Sequence, residues 1–123
     1  MLVNDYQMFG AFLKEKRNER EISIRPLAEK VGISAGHYCD IETGRRSPAD
    51  REFLDSIIKI LNLGNEDKQT LYDLWGKARS ASPPDLTDYI NESKAARIAL
   101  RVAKEKASDA DWQRFVDELK RKE

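Results

Sequence analysis

Residues 23–44, SIRPLAEKVGISAGHYCDIETG, decide the fold of this chain. They predict one helix from about residue 24 to residue 31 and a second, shorter helix that ends near Thr43. Between the two helices, Gly32 permits a left-handed turn, Ile33 anchors that turn in the core, and Ser34 caps the second helix. This spacing is typical of a helix-turn-helix unit.

The second helix has two unlike faces, because successive helical residues are about 100° apart. The inner face carries Tyr38, Ile41, Glu42 and the cap Ser34, and the opposite face carries Gly36, Asp40 and Thr43. The outward residues are small or polar, with Ala35 and Gly36 at the tip. We therefore expect that this helix can approach the groove of a nucleic-acid duplex closely.

The rest of the chain is also predicted to be helical. Apolar residues recur at i, i+3, i+4 and i+7 in three further segments, which begin at Leu54, Leu71 and Trp112, and no alternating strand pattern competes with them. The predicted N-terminal caps are Ser23, Ser34, Asp50, Asn65 and Ser108, and helices are expected to end at Gly32, Gly44 and Gly64. The segment SASPPD, residues 80–85, interrupts the helices, since two consecutive prolines block helix continuation.

With the basic helix FLKEKRNER before it, residues 12–20, this region resembles the helix-turn-helix domain of the Cro/repressor (Xre-like) family of bacterial and phage regulators. The resemblance covers about residues 5–63 and rests on Arg17, Leu27, Ala28, Gly32, Ile33, Ile41, Glu42 and Gly44. It implies a lambda-repressor-like five-helix domain whose third helix enters the DNA major groove, usually as a dimer on a two-fold symmetric operator. It also implies a partly buried ion pair between Arg17 and Glu42.

We therefore predict an all-α chain with three parts: a helix-turn-helix DNA-binding domain over residues 5–79, a linker over residues 80–85, and a C-terminal helical extension over residues 86–123. The predicted DNA-binding residues are Arg25, Ser34, Ala35, Gly36, His37, Asp40, Thr43, Arg45 and Arg46. The two consecutive arginines follow the second helix and suit phosphate contacts, which provide affinity without sequence information. Arg25 and the backbone amides at the start of its helix are a further phosphate site.

The predicted base-reading set is small. Many members of the resembled family have glutamine and long polar residues where this chain has Ile24, Ala35 and Gly36, so specificity is expected to depend on His37, Asp40, Thr43 and DNA shape. For Asp40, three alternatives remain: a contact with the amino group of cytosine, an ion pair with Arg45 or Arg46, or solvent.

Several classes of function are excluded or disfavoured. One histidine and one cysteine, two residues apart on a helix, form neither a nucleophile–base pair nor a zinc site, and no phosphate-binding loop or nucleophile motif is present. We predict no enzyme, no metal and no cofactor. Twenty-two basic and twenty-two acidic residues cancel, which argues against binding driven by overall charge. Without an apolar span or leader, the chain is predicted to be cytoplasmic and not in a membrane.

The C-terminal extension leaves the partner open. Its apolar residues Trp112, Phe115, Val116 and Leu119 either pack back on the DNA-binding domain or form a homodimer interface. The leading interpretation is a transcriptional regulator, most simply a repressor, that binds double-stranded DNA as a dimer. The alternatives are an antitoxin that binds both its operator and a toxin, and a protein-binding adaptor that has kept the fold without binding DNA.

Overall fold

The structure, a computed structural model, describes residues 4–48 and 50–123. This part of the chain contains eight helices and no strand, which confirms the all-α prediction. The helices are α1 (Asp5–Glu19), α2 (Ile24–Val31), α3 (Ala35–Thr43), α4 (Arg51–Ile60), α5 (Asn65–Ala78), α6 (Pro84–Glu92), α7 (Lys94–Lys106) and α8 (Asp109–Lys120). The chain divides into two compact units, Met1–Leu86 and Thr87–Glu123.

Helices α1 to α5 of the first unit enclose its hydrophobic core. Helix α1 packs against α3 and α5, and α2 packs against α3 and α4. Periodic apolar residues of α4 and α5 are buried there, among them Leu54, Ile57 and Leu71, together with Phe9 and Leu13 from α1, whereas the periodic residues of α8 are exposed. Burial of these side chains stabilises the unit and fixes the position of α3.

Most of the predicted helix ends are confirmed. Ser34 and Asp50 accept hydrogen bonds from the backbone N–H groups three residues later, as N-terminal caps do. Gly32 and Gly44 end α2 and α3 in the left-handed conformation, with φ angles of 90° and 80°. A residue with a Cβ atom would be strained at both positions.

Three of the predicted ends need correction. Asn65 is the first residue of α5, and Gly64 occupies the cap position before it. Gly64 therefore does not end α4, whose C-terminal cap is Leu61. Ser23 does occupy the cap position of α2, but its side chain makes no capping hydrogen bond.

The boundary between the two units follows Leu86 and lies within α6, which begins at Pro84 inside the segment predicted as a linker. A proline fits the first turn of a helix, because its missing N–H would be unpaired there in any case. The LTDYI sequence, residues 86–90, thus belongs to a helix of nine residues.

The second unit is built around the helix pair α7 and α8. Ser93 caps α7, and Arg97 donates hydrogen bonds to the carbonyl oxygens of Ile90 and Asn91 at 2.9 and 2.5 Å. At the start of α8, Ser108 and Asp111 form the predicted capping box, and the hydrogen bonds from Ser108 hold the pKa of the Asp111 carboxyl below its usual value. No residue of α7 or α8 is buried.

Across the described residues, no helix is long and apolar enough to span a bilayer.

Candidate nucleic-acid interface

Helix α3 has the two faces that the sequence predicts. Its inner residues Tyr38, Ile41 and Glu42 are buried, with Tyr38 fully inaccessible to solvent. Gly36 and Thr43 are exposed, and Asp40 is partly exposed. These three residues lie within about 60° of one another around the helix, and we call them the outer stripe.

One part of the face assignment is wrong. Ser34 was expected on the inner side, but it is exposed at the N-terminal end of α3. Its hydroxyl accepts a hydrogen bond from the backbone N–H of His37 at 3.0 Å. Because a cap residue precedes the helix and has extended backbone angles, the helical wheel does not fix its direction.

A buried ion pair holds α3 against α1. Arg17 donates from Nε to Glu42 at 3.0 Å and from Nη2 at 2.7 Å, in the two-pronged geometry that guanidinium and carboxylate groups prefer. A third bond, from Arg17 to the carbonyl oxygen of Ile22, is 2.9 Å long. The hydrogen bond from Arg17 to Glu42 raises the pKa of the guanidinium. The pair implied by the family resemblance is confirmed.

The Tyr38 hydroxyl lies beside this ion pair, and it has no hydrogen-bond partner within the described structure. Burial and the nearby Glu42 carboxylate raise the pKa of the Tyr38 hydroxyl, because both disfavour a second negative charge. The ring of Tyr38 also packs against Phe53 from α4, with centroids 6.5 Å apart. The inner face of α3 is therefore fixed by both packing and charge.

Backbone contacts shape the chain as it leaves α3. The amides of Arg45 and Arg46 donate to the carbonyl oxygen of Asp40 at 2.9 and 3.2 Å. Both arginine side chains are exposed, as is Arg25 in the first turn of α2. Within residues 4–48 and 50–123, the Asp40 carboxylate forms no ion pair with either arginine, so that alternative is wrong.

His37 and Cys39 lie partly buried on different sides of α3. His37 borders a shallow depression of about 300 Å³, together with Asp50, Glu52 and Phe53 from the region of α4. No group of three or more potential metal ligands occurs in the part of the chain that the structure describes. Ala35 is partly exposed at the start of α3, next to Gly36.

Gly10 positions α3, although sequence reasoning did not single it out. A Cβ atom added at Gly10 would lie 2.1 Å from the carbonyl oxygen of Glu42, so α1 and α3 touch backbone to backbone. Gly44 is similar, since a Cβ atom there would lie 2.5 Å from the Gln7 side chain. The signal available in the sequence was a glycine inside a strongly helical segment, which often marks a close approach.

Arg20 is a second residue that the sequence did not indicate. Its Nε donates to the carbonyl oxygen of Leu61, at the C-terminal end of α4. Lys16, one turn earlier, pairs with Asp67 of α5 at 3.2 Å. These contacts join α1 to the helices that support α3. They connect residues more than forty positions apart, which no local pattern reveals.

Comparison with known proteins points to one family. A protein-family model described as a helix-turn-helix domain matches residues 8–71, about half of the chain. The HTH-type transcriptional regulator SinR of Bacillus licheniformis is 30% identical over 71 residues, which are 54% of this chain and 64% of SinR. The ImmF control region 10 kDa protein of Bacillus phage phi105 is 34% identical over 59 residues, 48% of this chain and 64% of that protein.

An uncharacterized HTH-type transcriptional regulator of Mycobacterium tuberculosis (strain CDC 1551 / Oshkosh) is 33% identical over 57 residues, 46% of this chain and 40% of that protein. The matched regions therefore span less than two thirds of each of these relatives. No solved structure matches the chain at a significant level.

Proposed function

Because this chain belongs to the Cro/repressor (Xre-like) helix-turn-helix family, we propose that it is a sequence-specific DNA-binding transcriptional regulator, most simply a repressor. The observation that carries the proposal is the geometry of α3, whose inner face is locked into the core while the outer stripe is free to enter a major groove. A repressor of this size needs only to cover promoter DNA. Because its proposed target is promoter DNA, we propose a cytoplasmic location.

The exposed arginines after α3 are proposed to bind phosphates. Arg45 and Arg46 begin a turn whose backbone is fixed to Asp40, so their side chains start from a defined point at the end of the recognition helix. Guanidinium groups there would donate hydrogen bonds to phosphate oxygens and would fix how deeply α3 enters the major groove. The N-terminal end of α3 would lie near the DNA backbone at the edge of the major groove, and it carries Ser34, Ala35 and His37.

Arg25 is proposed as the phosphate contact of α2. Ser23 makes no side-chain capping bond, so the first backbone amides of α2 are not satisfied by a cap. A helix N-terminus of this kind favours an anion, and the exposed Arg25 side chain adds a full positive charge beside it.

The test is binding of the full chain to duplexes selected from a random pool, followed by fluorescence anisotropy at several salt concentrations. The proposed contacts predict that affinity falls steeply with salt, and that replacing Arg45 and Arg46 by Gln reduces the logarithmic slope by about 1.8 for each bound subunit, or roughly 0.9 per phosphate. The matched control replaces Arg121 and Lys122 by Gln, which removes the same charge from the exposed C-terminal end. A protein-binding adaptor would select no DNA and show no salt-dependent binding.

We further propose a homodimer formed through the second unit. Trp112, Phe115 and Val116 remain 37%, 48% and 38% exposed. Trp112 and Phe115, together with residues of α7, border an apolar groove of about 560 Å³. Helix α7 has five basic side chains and one acidic, whereas α8 has four acidic and two basic. Two copies could therefore place α7 of one against α8 of the other with opposite charges facing. Such a dimer would present two recognition helices to sites about 34 Å apart.

Sedimentation at tens of micromolar tests the dimer. The wild-type chain is expected to sediment as a dimer. Phe115→Ser is expected to sediment as a monomer and to bind DNA more weakly. The control Gln113→Ser, which changes a polar residue of the same helix, is expected to remain a dimer. A wild-type chain that is strictly monomeric but still binds DNA would contradict the dimer. It would favour an antitoxin, whose apolar groove holds a toxin.

A further inference from the structure

Gly36 has no reason within the folded chain to be a glycine. Its φ angle is not positive, and a Cβ atom added there would meet no heavy atom within 4 Å. Gly10 and Gly44, in contrast, lie against neighbouring backbone or side-chain atoms. Alanine favours helices more than glycine does. An exposed helical glycine in open space leaves the helix backbone accessible to a molecule outside the chain.

The hydroxyl proton of Thr43 is already used in a hydrogen bond within α3. Its Oγ1 donates to the carbonyl oxygen of Cys39 at 2.9 Å and approaches that of Asp40 at 3.4 Å. A threonine hydroxyl has one proton, so Thr43 has no donor left for a ligand. What it can still present is its methyl group and the lone pairs of its oxygen.

Asp40 completes the outer stripe. Its carboxylate is partly exposed and has no hydrogen-bond or ion-pair partner among the residues that the structure describes. An ionised carboxylate only accepts hydrogen bonds. The three positions of the outer stripe therefore present a bare backbone, an acceptor and a methyl group, with no side-chain donor.

We propose that α3 reads DNA through this donor-free stripe: Gly36 lets the helix backbone approach the bases, Asp40 accepts a hydrogen bond from the amino group of cytosine or adenine, and the Thr43 methyl packs on the methyl group of a thymine. The inference rests on the proposed function and specifies how its site selects bases. In the major groove, guanine shows two acceptors, cytosine and adenine show an amino donor, and thymine shows a methyl group. A carboxylate facing the acceptors of guanine or the O4 acceptor of thymine would be repelled, so both bases are excluded opposite Asp40.

The thymine contact is tested on a duplex recovered by selection, with each thymine replaced in turn by deoxyuridine, which lacks only the methyl group. Within each half-site, one thymine is expected to matter. Replacing that thymine alone should weaken wild-type binding about fourfold, the effect of losing one buried methyl contact. Thr43→Val keeps a methyl and loses the hydroxyl, so it should bind like wild type and stay sensitive to deoxyuridine. Thr43→Ser should bind about fourfold more weakly for each bound subunit, and so about fifteenfold as a dimer, and it should be indifferent to that replacement.

The Asp40 contact is tested by repeating the selection with Asp40→Asn, which has nearly the same shape but can also donate. At the base position that Asp40 contacts, the sequences selected by the variant are expected to include guanine, which the wild type excludes. Circular dichroism establishes that all three variants keep the helical content of the wild type, so that a binding loss cannot be attributed to unfolding.

Two kinds of failure are distinguishable. If the wild-type chain recovers no sequence from the pool, the proposed function fails and this inference fails with it. If a defined site is recovered but deoxyuridine has no effect anywhere, or Thr43→Val loses binding as Thr43→Ser does, the methyl contact is wrong while the regulator function stands. An unchanged base preference in Asp40→Asn would overturn the amino-group contact in the same way.

Discussion

The substitution Gly36→Ala should make the protein more stable and a weaker DNA binder. The new methyl group meets no atom within 4 Å, and the backbone angle suits any residue. Only the helix preference of alanine then acts, which raises the free energy of unfolding by about 0.5–1 kcal/mol. For a unit of 86 residues, this corresponds to a rise in Tm of roughly 2–8 °C.

The effect on DNA binding should have the opposite sign. If the helix backbone approaches the bases at Gly36, an added methyl group forces the two surfaces apart. Overpacking of a close contact typically costs about 1–3 kcal/mol, so affinity should fall by roughly 5-fold to 150-fold. Thermal melting measured by circular dichroism and fluorescence anisotropy on a selected duplex give the two quantities on the same protein sample.

Gly32→Ala is the matched control, because its added Cβ also meets nothing within 4 Å. The two positions differ in backbone conformation: Gly32 has a φ angle of 90°, which costs a residue with a Cβ about 1–2 kcal/mol. Gly32→Ala should therefore be less stable than wild type. The reasoning about Gly36 is refuted if Gly36→Ala binds DNA as tightly as wild type, or if it is destabilised as Gly32→Ala is.

Three further predictions concern how α3 is held. Gly10→Ala should lose about 3 kcal/mol or more of unfolding free energy in urea titration, since its Cβ would lie 2.1 Å from the carbonyl oxygen of Glu42; a variant of wild-type stability would contradict the close approach. Arg17→Ala should lose about 3–5 kcal/mol by leaving Glu42 buried without its partner, and the double variant with Glu42→Ala should lose less than the sum of the single losses. Zero coupling in that cycle would show that the pair is not energetically linked. Ser34→Ala should lose about 0.5–2 kcal/mol because the His37 amide loses its cap, whereas Ser34→Gly should lose only a few tenths, and equal losses would argue against capping.

Local features of the fold could be predicted from the sequence because they depend on neighbouring residues. The apolar spacing that predicts helices, the capping box at Ser108, and the left-handed glycines Gly32 and Gly44 all arise within a few positions of the chain. The same holds for the two faces of α3, since the inner and outer residues follow from the helical repeat alone. The displaced start of α5, with Gly64 as its cap in place of Asn65, is the one-residue uncertainty normal at helix ends.

Other features were decided only when distant segments packed together. The Arg17–Glu42 pair joins residues 25 positions apart, and the family resemblance, not the local pattern, had implied it. The backbone contact at Gly10 and the bond from Arg20 to Leu61 had no local signal that fixed their partners. The hydroxyl of Thr43 could have faced a ligand, but it donates to a backbone carbonyl oxygen of its own helix. Periodicity therefore determined which residues α3 turns outward, while tertiary contacts decided how firmly the helix is held and which hydrogen-bonding groups remain free.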